Sequence, residues 1–179
     1  MQFLKYHYKN TITYDLQNKF NYNNLDKLSK LKKIILSFKC KEIDMHKIAT
    51  LLLALELITT QKSCIVAIKR TKNFIKLKKG YPAKCQVILR KSVMYDFLIK
   101  CLIEIFPKIQ DFSNLQINLV SSNTIIYSFI KTAVTLTELN QGPIFKKLPK
   151  LDIKILTETN SINELKFLIK NFNLPIKKD

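Results

Sequence analysis

Ten basic residues of this sequence fall in one stretch that contains no acid. The 39 residues between Glu56 and Asp96 include no Asp or Glu, whereas a protein surface normally mixes both signs because like charges repel one another. The phosphates of a polyanion would neutralise such a stretch, and the release of their counterions would favour binding. The sequence therefore predicts a phosphate-binding surface built from Lys62, Lys69, Arg70, Lys72, Lys76, Lys78, Lys79, Lys84, Arg90 and Lys91.

No comparable pattern predicts catalysis or metal binding. The cysteines have no C-x-x-C spacing, and His7 and His46 lie in unrelated segments, although zinc sites and nucleophilic sites depend on such groupings. We therefore expect no enzyme activity, no metal and no cofactor. We interpret the thiols as buried or incidental groups in a reducing compartment; they belong to Cys40, Cys64, Cys85 and Cys101.

The composition indicates a folded and very basic protein. The chain has 179 residues, of which 47% are hydrophobic, and a formal net charge of +18, so it has enough apolar surface for one domain with a core. No apolar run approaches the roughly 20 residues that cross a bilayer, and no signal-peptide pattern opens the sequence. The expected partner is a polyanion rather than a membrane.

Hydrophobic periodicity predicts the elements that position these cations. It indicates a single α+β domain over residues 1–179, with a mostly antiparallel sheet and helices covering one face. An amphipathic helix is predicted over residues 6–20. The basic stretch falls on a strand–loop–strand over residues 63–90. The cations are therefore expected on a basic β-hairpin.

Local signals predict where other elements begin and end. Asp44 is the predicted cap of a helix, and Ser161 with Glu164 has the spacing of a capping box that opens the last helix. The short basic tail, residues 173–179, is expected to be frayed.

Alternation within the first predicted strand separates an inner from an outer face. The inner face is expected to carry Ile34, Leu36 and Phe38, and the outer face Lys33, Ile35 and Ser37.

Several polyanions could face a basic hairpin, and RNA fits best. A membrane surface favours an amphipathic helix flanked by lysines, and duplex DNA is usually read by a helix in the major groove. A strand–loop–strand with few arginines suits structured RNA, which is read by shape and backbone. Tyr81 in the loop could stack on a base or could pack in the turn beside Pro82, and the two alternatives are equally plausible from the sequence.

Short motifs spread over nearly the whole chain resemble one family in one order. The family is that of the large-subunit ribosomal protein L-five, a bacterial-type protein that binds 5S rRNA. The segments that are similar to its motifs are residues 19–23 (KFNYN), 58–62 (ITTQK), 79–90 (from KGYP to VILR), 94–98 (MYDFL), 107–112 (PKIQDF), 151–153 (LDI) and 174–175 (LP).

The resemblance implies a structural, non-enzymatic component of the large ribosomal subunit. It implies partners in large-subunit rRNA (5S rRNA or a substitute in the central protuberance), in P-site tRNA and in neighbouring ribosomal proteins, including one of the small-subunit head. The candidate RNA-binding residues are Lys33, Ser37, Gln61, Lys62, Lys69, Arg70, Lys84, Gln86, Arg90 and Lys91. The loop of residues 71–82 is implied to reach the tRNA with Lys72, Lys76, Lys78, Lys79, Gly80 and Tyr81.

Some positions depart from the family pattern. Ser37 stands where the family carries Asn, and Ile88 stands where it carries Thr. Since isoleucine forms no side-chain hydrogen bond, we expect a weakened or remodelled 5S contact, partly covered by a protein or another RNA element. Residues 113–124 lack the family's glycine-rich segment, so the family's contact with the small subunit is in doubt for this chain.

The choice of amino acids indicates the cellular compartment in which the protein is made. Lysine, asparagine and isoleucine are abundant while glycine is rare, as AT-rich genes produce, and the chain starts where the family's proteins start, without an Arg- and Ser-rich presequence. We therefore expect a mitochondrial ribosome, with a bacterial cytoplasm as the alternative. A free-standing RNA-binding module outside the ribosome remains the alternative function.

Overall fold

The computed structural model of the chain describes residues 3–22, 24, 27–40, 44–68, 79–108, 115–121, 124–129, 136–139, 144–145 and 148–175. The helices and strands follow one another in mixed order along the chain. The helical elements are α1 (Phe3–His7), a π-helical turn (Tyr8–Ile12), α2 (Thr13–Phe20), α3 (Met45–Thr59), α4 (Lys91–Lys100), a second π-helical turn (Cys101–Ile105), a 3₁₀ turn (Thr137–Leu139) and α5 (Ile162–Asn171). The strands are β1 (Lys30–Lys39), β2 (Cys64–Ala67), β3 (Pro82–Leu89), β4 (Leu115–Ser121), β5 (Thr124–Phe129) and β6 (Leu151–Glu158).

The strands form one six-stranded sheet in the order β2-β3-β1-β6-β5-β4. Ion pairs fix the direction of β1 against β6: Lys30 contacts Glu158 at the end of β6, and Lys39 contacts Asp152 at its start. The two strands are therefore antiparallel, and the prediction of an α+β fold with a mostly antiparallel sheet is confirmed.

The chain comprises two compact units. The first contains Met1–Ile34, Leu89–Tyr127 and Lys154–Asp179, and the second contains Ile35–Ile88 and Ser128–Ile153. The prediction that residues 1–179 form one domain with the stated internal boundaries stays a prediction.

Helices supply much of the core of the first unit. The N-terminal helical segment runs from Phe3 to Phe20 without a break, so it begins three residues earlier than predicted. It buries Ile12 and Leu16 at helical spacing. Within this unit α1 packs against α4, and α2 packs against α5.

The chain end of the first unit is held in place rather than frayed. Leu174 is buried, and the carbonyl of Pro175 accepts a hydrogen bond of 2.9 Å from the Tyr127 hydroxyl. Tyr127 is itself buried and packs edge-on against Phe106. The prediction of a frayed tail is therefore wrong for Leu174 and Pro175, while residues 176–179 lie outside the described part of the chain.

The predicted caps form in both units. In the second unit the Asp44 carboxylate accepts a 3.1 Å bond from the His46 N–H at the start of α3. In the first, the Ser161 hydroxyl accepts a 3.2 Å bond from the Glu164 N–H at the start of α5. Each cap satisfies a backbone donor that the first helical turn leaves without a partner.

Helix α3 provides the core of the second unit. Its buried face includes Ala54 and Leu55, and it contacts the 3₁₀ turn that carries the buried Leu139. The helix ends at Thr60, which adopts a left-handed conformation with φ +54°. This reversal returns the chain to the start of β2.

Candidate nucleic-acid interface

Backbone pairing builds the predicted basic strand–loop–strand. β2 and β3 are antiparallel, with Cys64 opposite Gln86 and Val66 opposite Lys84. Pairing continues beyond the strands, because the Ile68 N–H donates to the Tyr81 carbonyl at 2.9 Å and its own carbonyl accepts from the Gly80 N–H at 3.1 Å. A hydrogen-bonded ladder thus supports the base of the loop, whose residues 71–78 lie outside the described ranges.

The loop returns to β3 through a glycine-dependent turn. Gly80 has φ +93°, a backbone conformation that side-chain-bearing residues rarely adopt. A Cβ at this position would meet no atom within 4 Å, so backbone conformation rather than space requires the glycine. On either side of it, Lys79 is exposed and Tyr81 is half-buried. Both alternatives for Tyr81 are compatible with that position.

The two faces of β3 differ as alternation predicts. Cys85, Val87 and Leu89 are buried, at 0–2% exposure. The residues between them, Lys84, Gln86 and Ile88, are only half-buried. Since cross-strand partners share a face, Cys64 and Val66 of β2 lie beside Gln86 and Lys84. The outer face of the hairpin is therefore partly basic and partly apolar.

A polar turn places the residues that precede β2. The Glu56 carboxylate accepts the Ser63 N–H at 3.0 Å and the Ser63 hydroxyl at 2.9 Å. These bonds, with a smaller effect of the Lys62 charge, lower the pKa of Glu56. Gln61 is left half-buried and Lys62 exposed. The last acid before the acid-free stretch is thus engaged by the turn itself.

Strand β1 follows the predicted alternation with one exception. Ile34, Leu36 and Phe38 are fully buried, whereas Lys33 is half-buried. Ser37, however, is only 2% exposed, so the expectation that it lies on an open face is wrong. β1 is an inner strand between β3 and β6, where longer neighbouring side chains readily shield a short one.

We call the described polar and basic residues of the hairpin the hairpin surface. All belong to the second unit, and they are Gln61, Lys62, Lys79, Tyr81, Lys84 and Gln86. Lys33 (half-buried), Arg90 and Lys91 (both exposed) belong to the first unit. The remaining predicted residues lie outside the described ranges, and they are Lys69, Arg70, Lys72, Lys76 and Lys78.

Sequence reasoning missed the carboxylates that face the lysines of β1. Lys30 and Lys32 lie 3.0 and 2.7 Å from the Glu158 carboxylate. Lys39 lies 3.3 Å from Asp152, which is buried and also accepts a 2.6 Å bond from the Ser128 hydroxyl. The sequence signal for these ion pairs was the presence of an acid near each end of the segment that forms β6.

Two other kinds of site do not occur among the described residues. No helix in these ranges is both long and apolar enough to cross a bilayer. Nor does the described part of the chain contain a group of three or more His, Cys, Asp or Glu side chains placed to hold a metal ion.

Known proteins similar to this chain identify its family. A family model of the C-terminus of the ribosomal L5 family matches residues 82–176. The large ribosomal subunit protein uL5m of Reclinomonas americana is 33% identical over 181 positions, covering 99% of this chain and all of that protein. The chain belongs to the uL5 family of ribosomal proteins. The resemblance inferred from the short motifs is thereby confirmed.

Bacterial members of the uL5 family are 29–33% identical to this chain. The large ribosomal subunit protein uL5 of Ehrlichia ruminantium is 33% identical over 174 residues, or 96% of this chain and 98% of that protein. The corresponding protein of Nitrosomonas europaea is 29% identical over 173 residues, 96% of both chains. The family is one of structural ribosomal proteins rather than of enzymes.

Proposed function

We propose that this chain is a structural constituent of the large ribosomal subunit and that its hairpin surface binds rRNA. The observation that carries the proposal is the acid-free stretch between Glu56 and Asp96, whose strands β2 and β3 pair as a hairpin near the exposed Lys62 and Lys79. Family membership supplies the class of assembly. The lysines supply the phosphate contacts, and the half-buried amides of Gln61 and Gln86 supply hydrogen bonds to sugar or base.

The outer face of the hairpin favours a contact that differs from an ordinary RNA interface. Ile88 is half-buried on that face and offers no hydrogen bond. An RNA group opposite it would lose a polar partner, so the proposal includes a 5S rRNA contact that is remodelled, or a substitute RNA or protein in the central protuberance. Lys33, Lys69, Arg70, Arg90 and Lys91 complete the proposed RNA-binding set, from which the buried Ser37 is left out.

The loop of residues 71–82 is proposed to contact P-site tRNA. Two observations support this contact. Backbone hydrogen bonds hold the base of the loop, and Lys79 beside it is exposed. Replacing Lys76, Lys78 and Lys79 by serine is expected to reduce tRNA cross-linking to the chain on isolated ribosomes. Unchanged cross-linking would remove this part of the proposal without affecting the rRNA contact.

The proposed location is a mitochondrial ribosome, with a bacterial ribosome as the alternative. Both kinds of relative are similar to this chain to the same degree, so the proposal depends on the AT-linked composition. A neighbouring ribosomal protein of the small-subunit head is proposed as a further partner.

Sedimentation tests the function as a whole. A tagged full-length chain is expected to travel with the large subunit at moderate salt, and to be released at high salt because phosphate contacts weaken with ionic strength. A chain that stays at the top of the gradient at every salt concentration, while still binding RNA, would contradict the proposal. It would favour a free-standing RNA-binding module instead.

A further inference from the structure

Two of the four cysteines are neighbours in the second unit. The sulfur atoms of Cys40 and Cys85 are 3.8 Å apart, although 45 residues separate them in the chain. Cys40 follows the last residue of β1, and its N–H donates to the Ala83 carbonyl at 3.0 Å. Cys85 lies on β3 and is fully buried. The backbone therefore holds the two thiols against each other.

Cys40 lines a cavity to which Cys85 does not contribute. A cavity of about 630 Å³ in the second unit has Cys40 in its wall, with Lys39, His46 and Lys47 near it. Cys85 does not line this cavity and has no exposed surface. A small reagent in the cavity can thus meet the half-buried Cys40, whose sulfur lies 3.8 Å from that of Cys85.

We propose that Cys40 and Cys85 form an oxidisable dithiol, in which a peroxide attacks through the cavity at Cys40 and Cys85 then closes a disulfide. The S–S distance in a disulfide is about 2.05 Å, so the two sulfur atoms have to approach by less than about 2 Å. This is within reach of a side-chain rotation. The proposal is independent of the ribosomal function.

The reaction needs no oxidant other than the peroxide. The Cys40 thiolate attacks one oxygen of hydrogen peroxide, the O–O bond breaks, and Cys40 becomes a sulfenic acid while one water is released. The Cys85 thiol then loses its proton and attacks the Cys40 sulfur, which expels the sulfenic oxygen as a second water. Two thiols lose two electrons and two protons in total, and the peroxide is reduced to two waters.

The order of the two steps follows from the surroundings of Cys85. Burial raises the pKa of Cys85 to about 12, with further contributions from the charge of Cys40, from their mutual hydrogen bond and, last, from the charge of Cys64. Cys85 is therefore a thiol that does not react first. Once Cys40 is a neutral sulfenic acid, its thiolate charge no longer opposes ionisation of Cys85.

The other two cysteines serve as internal controls. Cys64 is exposed, but it pairs across the hairpin with Gln86, whose carbonyl accepts its S–H at 3.3 Å. Since Cys85 alternates with Gln86 on β3, Cys64 and Cys85 lie on opposite faces. Cys101 belongs to the first unit and is 2% exposed. Neither is placed to form the same bridge.

The test oxidises the reduced full-length protein with hydrogen peroxide. Free thiols are then blocked with a maleimide in denaturant, and linked peptides are mapped by mass spectrometry without reduction. We expect the free thiols to fall from four to two and a linked peptide that joins Cys40 to Cys85. The double variant C64S/C101S should form the same bridge at the same rate, and a reductant should restore both thiols.

Two variants separate the steps. Cys40→Ser should abolish the bridge and leave Cys85 unoxidised, and because Cys40 is half-buried this variant is expected to fold. Cys85→Ala should stop at a sulfenic acid on Cys40, trapped by a dimedone-type reagent, with folding checked by circular dichroism. A bridge to Cys64, or a wild-type chain that keeps all four thiols under peroxide, would overturn the proposal.

Discussion

The lysines of β1 and those of the β2–β3 hairpin differ in what stands opposite them. On β1, Lys30 and Lys32 share the Glu158 carboxylate, and Lys39 has Asp152. On the hairpin, the sequence offers no carboxylate at all from residue 57 to residue 95. These lysines of β1 thus contact acids that the fold brings to them, whereas the lysines of the hairpin have no acid close to them in the sequence.

This difference distinguishes lysines that stabilise the fold from lysines that are proposed to bind RNA. A lysine that already contacts a carboxylate has to give up that contact, or share it, before it neutralises a phosphate. The acid-free stretch supplies no carboxylate of its own, and the repulsion among its lysines is relieved when an RNA backbone arrives. We therefore expect RNA affinity to depend on the hairpin lysines and fold stability to depend on the acids of β6.

The largest expected effect is on RNA affinity. Replacing Lys62, Lys79 and Lys84 by glutamine should weaken binding to a large-subunit rRNA fragment at least roughly tenfold. The slope of log affinity against log salt should also fall by about 2 to 3, since three phosphate contacts are lost. Fluorescence anisotropy over a salt series measures both quantities.

The matched control removes the same number of charges from β1. Replacing Lys30, Lys32 and Lys39 by glutamine lowers the net charge by the same amount but should change the salt slope by less than about 1. Equal losses of slope in the two triple variants would show that total charge, rather than the arrangement on the hairpin, decides RNA binding.

The next effect is on stability and depends on Asp152. This side chain is buried and accepts the Ser128 hydroxyl at 2.6 Å as well as the Lys39 ammonium. Asp152→Ala leaves the buried Ser128 hydroxyl without its acceptor, so we expect a loss of about 1–3 kcal/mol in the free energy of unfolding. Urea unfolding followed by circular dichroism provides the measurement.

Lys39→Ala is the matched variant for Asp152. The Lys39 side chain is 75% exposed, and an exposed ion pair contributes less than about 1 kcal/mol. The variant should therefore cost less than Asp152→Ala. If Lys39→Ala were the more destabilising change, the ion pair rather than the buried hydrogen bond would hold this part of β6.

Features that depend on neighbours in the chain were predictable from the sequence. The caps made by Asp44 and Ser161 each involve residues within four positions, and both cap hydrogen bonds form as predicted. The Glu164 carboxylate, however, accepts the Asn160 N–H rather than that of Ser161, so only half of the predicted capping box is present. The alternation of buried and half-buried residues along β3 is likewise a consequence of local strand geometry. The short motifs, each made of a few adjacent residues, were in the same way sufficient to identify the family.

Features that depend on distant parts of the chain were not predictable in this way. Glu158 meets Lys30 across more than a hundred residues, and Cys85 meets Cys40 across 45. Ser37 is buried because of what surrounds an inner strand rather than because of its own position in the alternation. A single sequence contains no direct signal for such pairings.

A third acid should make stability sensitive to pH. Glu164 is buried, which by itself raises its pKa, but hydrogen bonds from Ser29, the Asn160 N–H, Tyr22 and Ser161 outweigh burial and lower it. The folded state therefore holds the Glu164 proton less readily than the unfolded state does. Its stabilising contribution is complete above the ordinary value of 4.5 and is lost as pH falls through the lowered pKa.

Urea unfolding of the wild type and of Glu164→Gln, from about pH 7 to about pH 3, checks this expectation. The variant should be less stable near neutral pH, and the gap between the two proteins should narrow below pH 4.5. A gap that is constant with pH would mean that the Glu164 side chain stabilises by packing alone.

The smallest expected effect tests the competition between carboxylate and phosphate directly. Glu158 is 39% exposed on its side chain, and Lys32 and Lys30, in that order, lower its pKa through hydrogen bonds. Glu158→Gln should change stability by less than about 1 kcal/mol, and less still at high salt, because exposed pairs are screened. The same change leaves Lys30 and Lys32 without their carboxylate, so RNA affinity should rise by roughly two- to threefold at low salt.

Asp15→Asn removes one negative charge from an exposed position on α2 and is the control for net charge. If both variants raised RNA affinity equally, the acid beside β1 would act only through the total charge of the chain, and the distinction between the two sets of lysines would disappear.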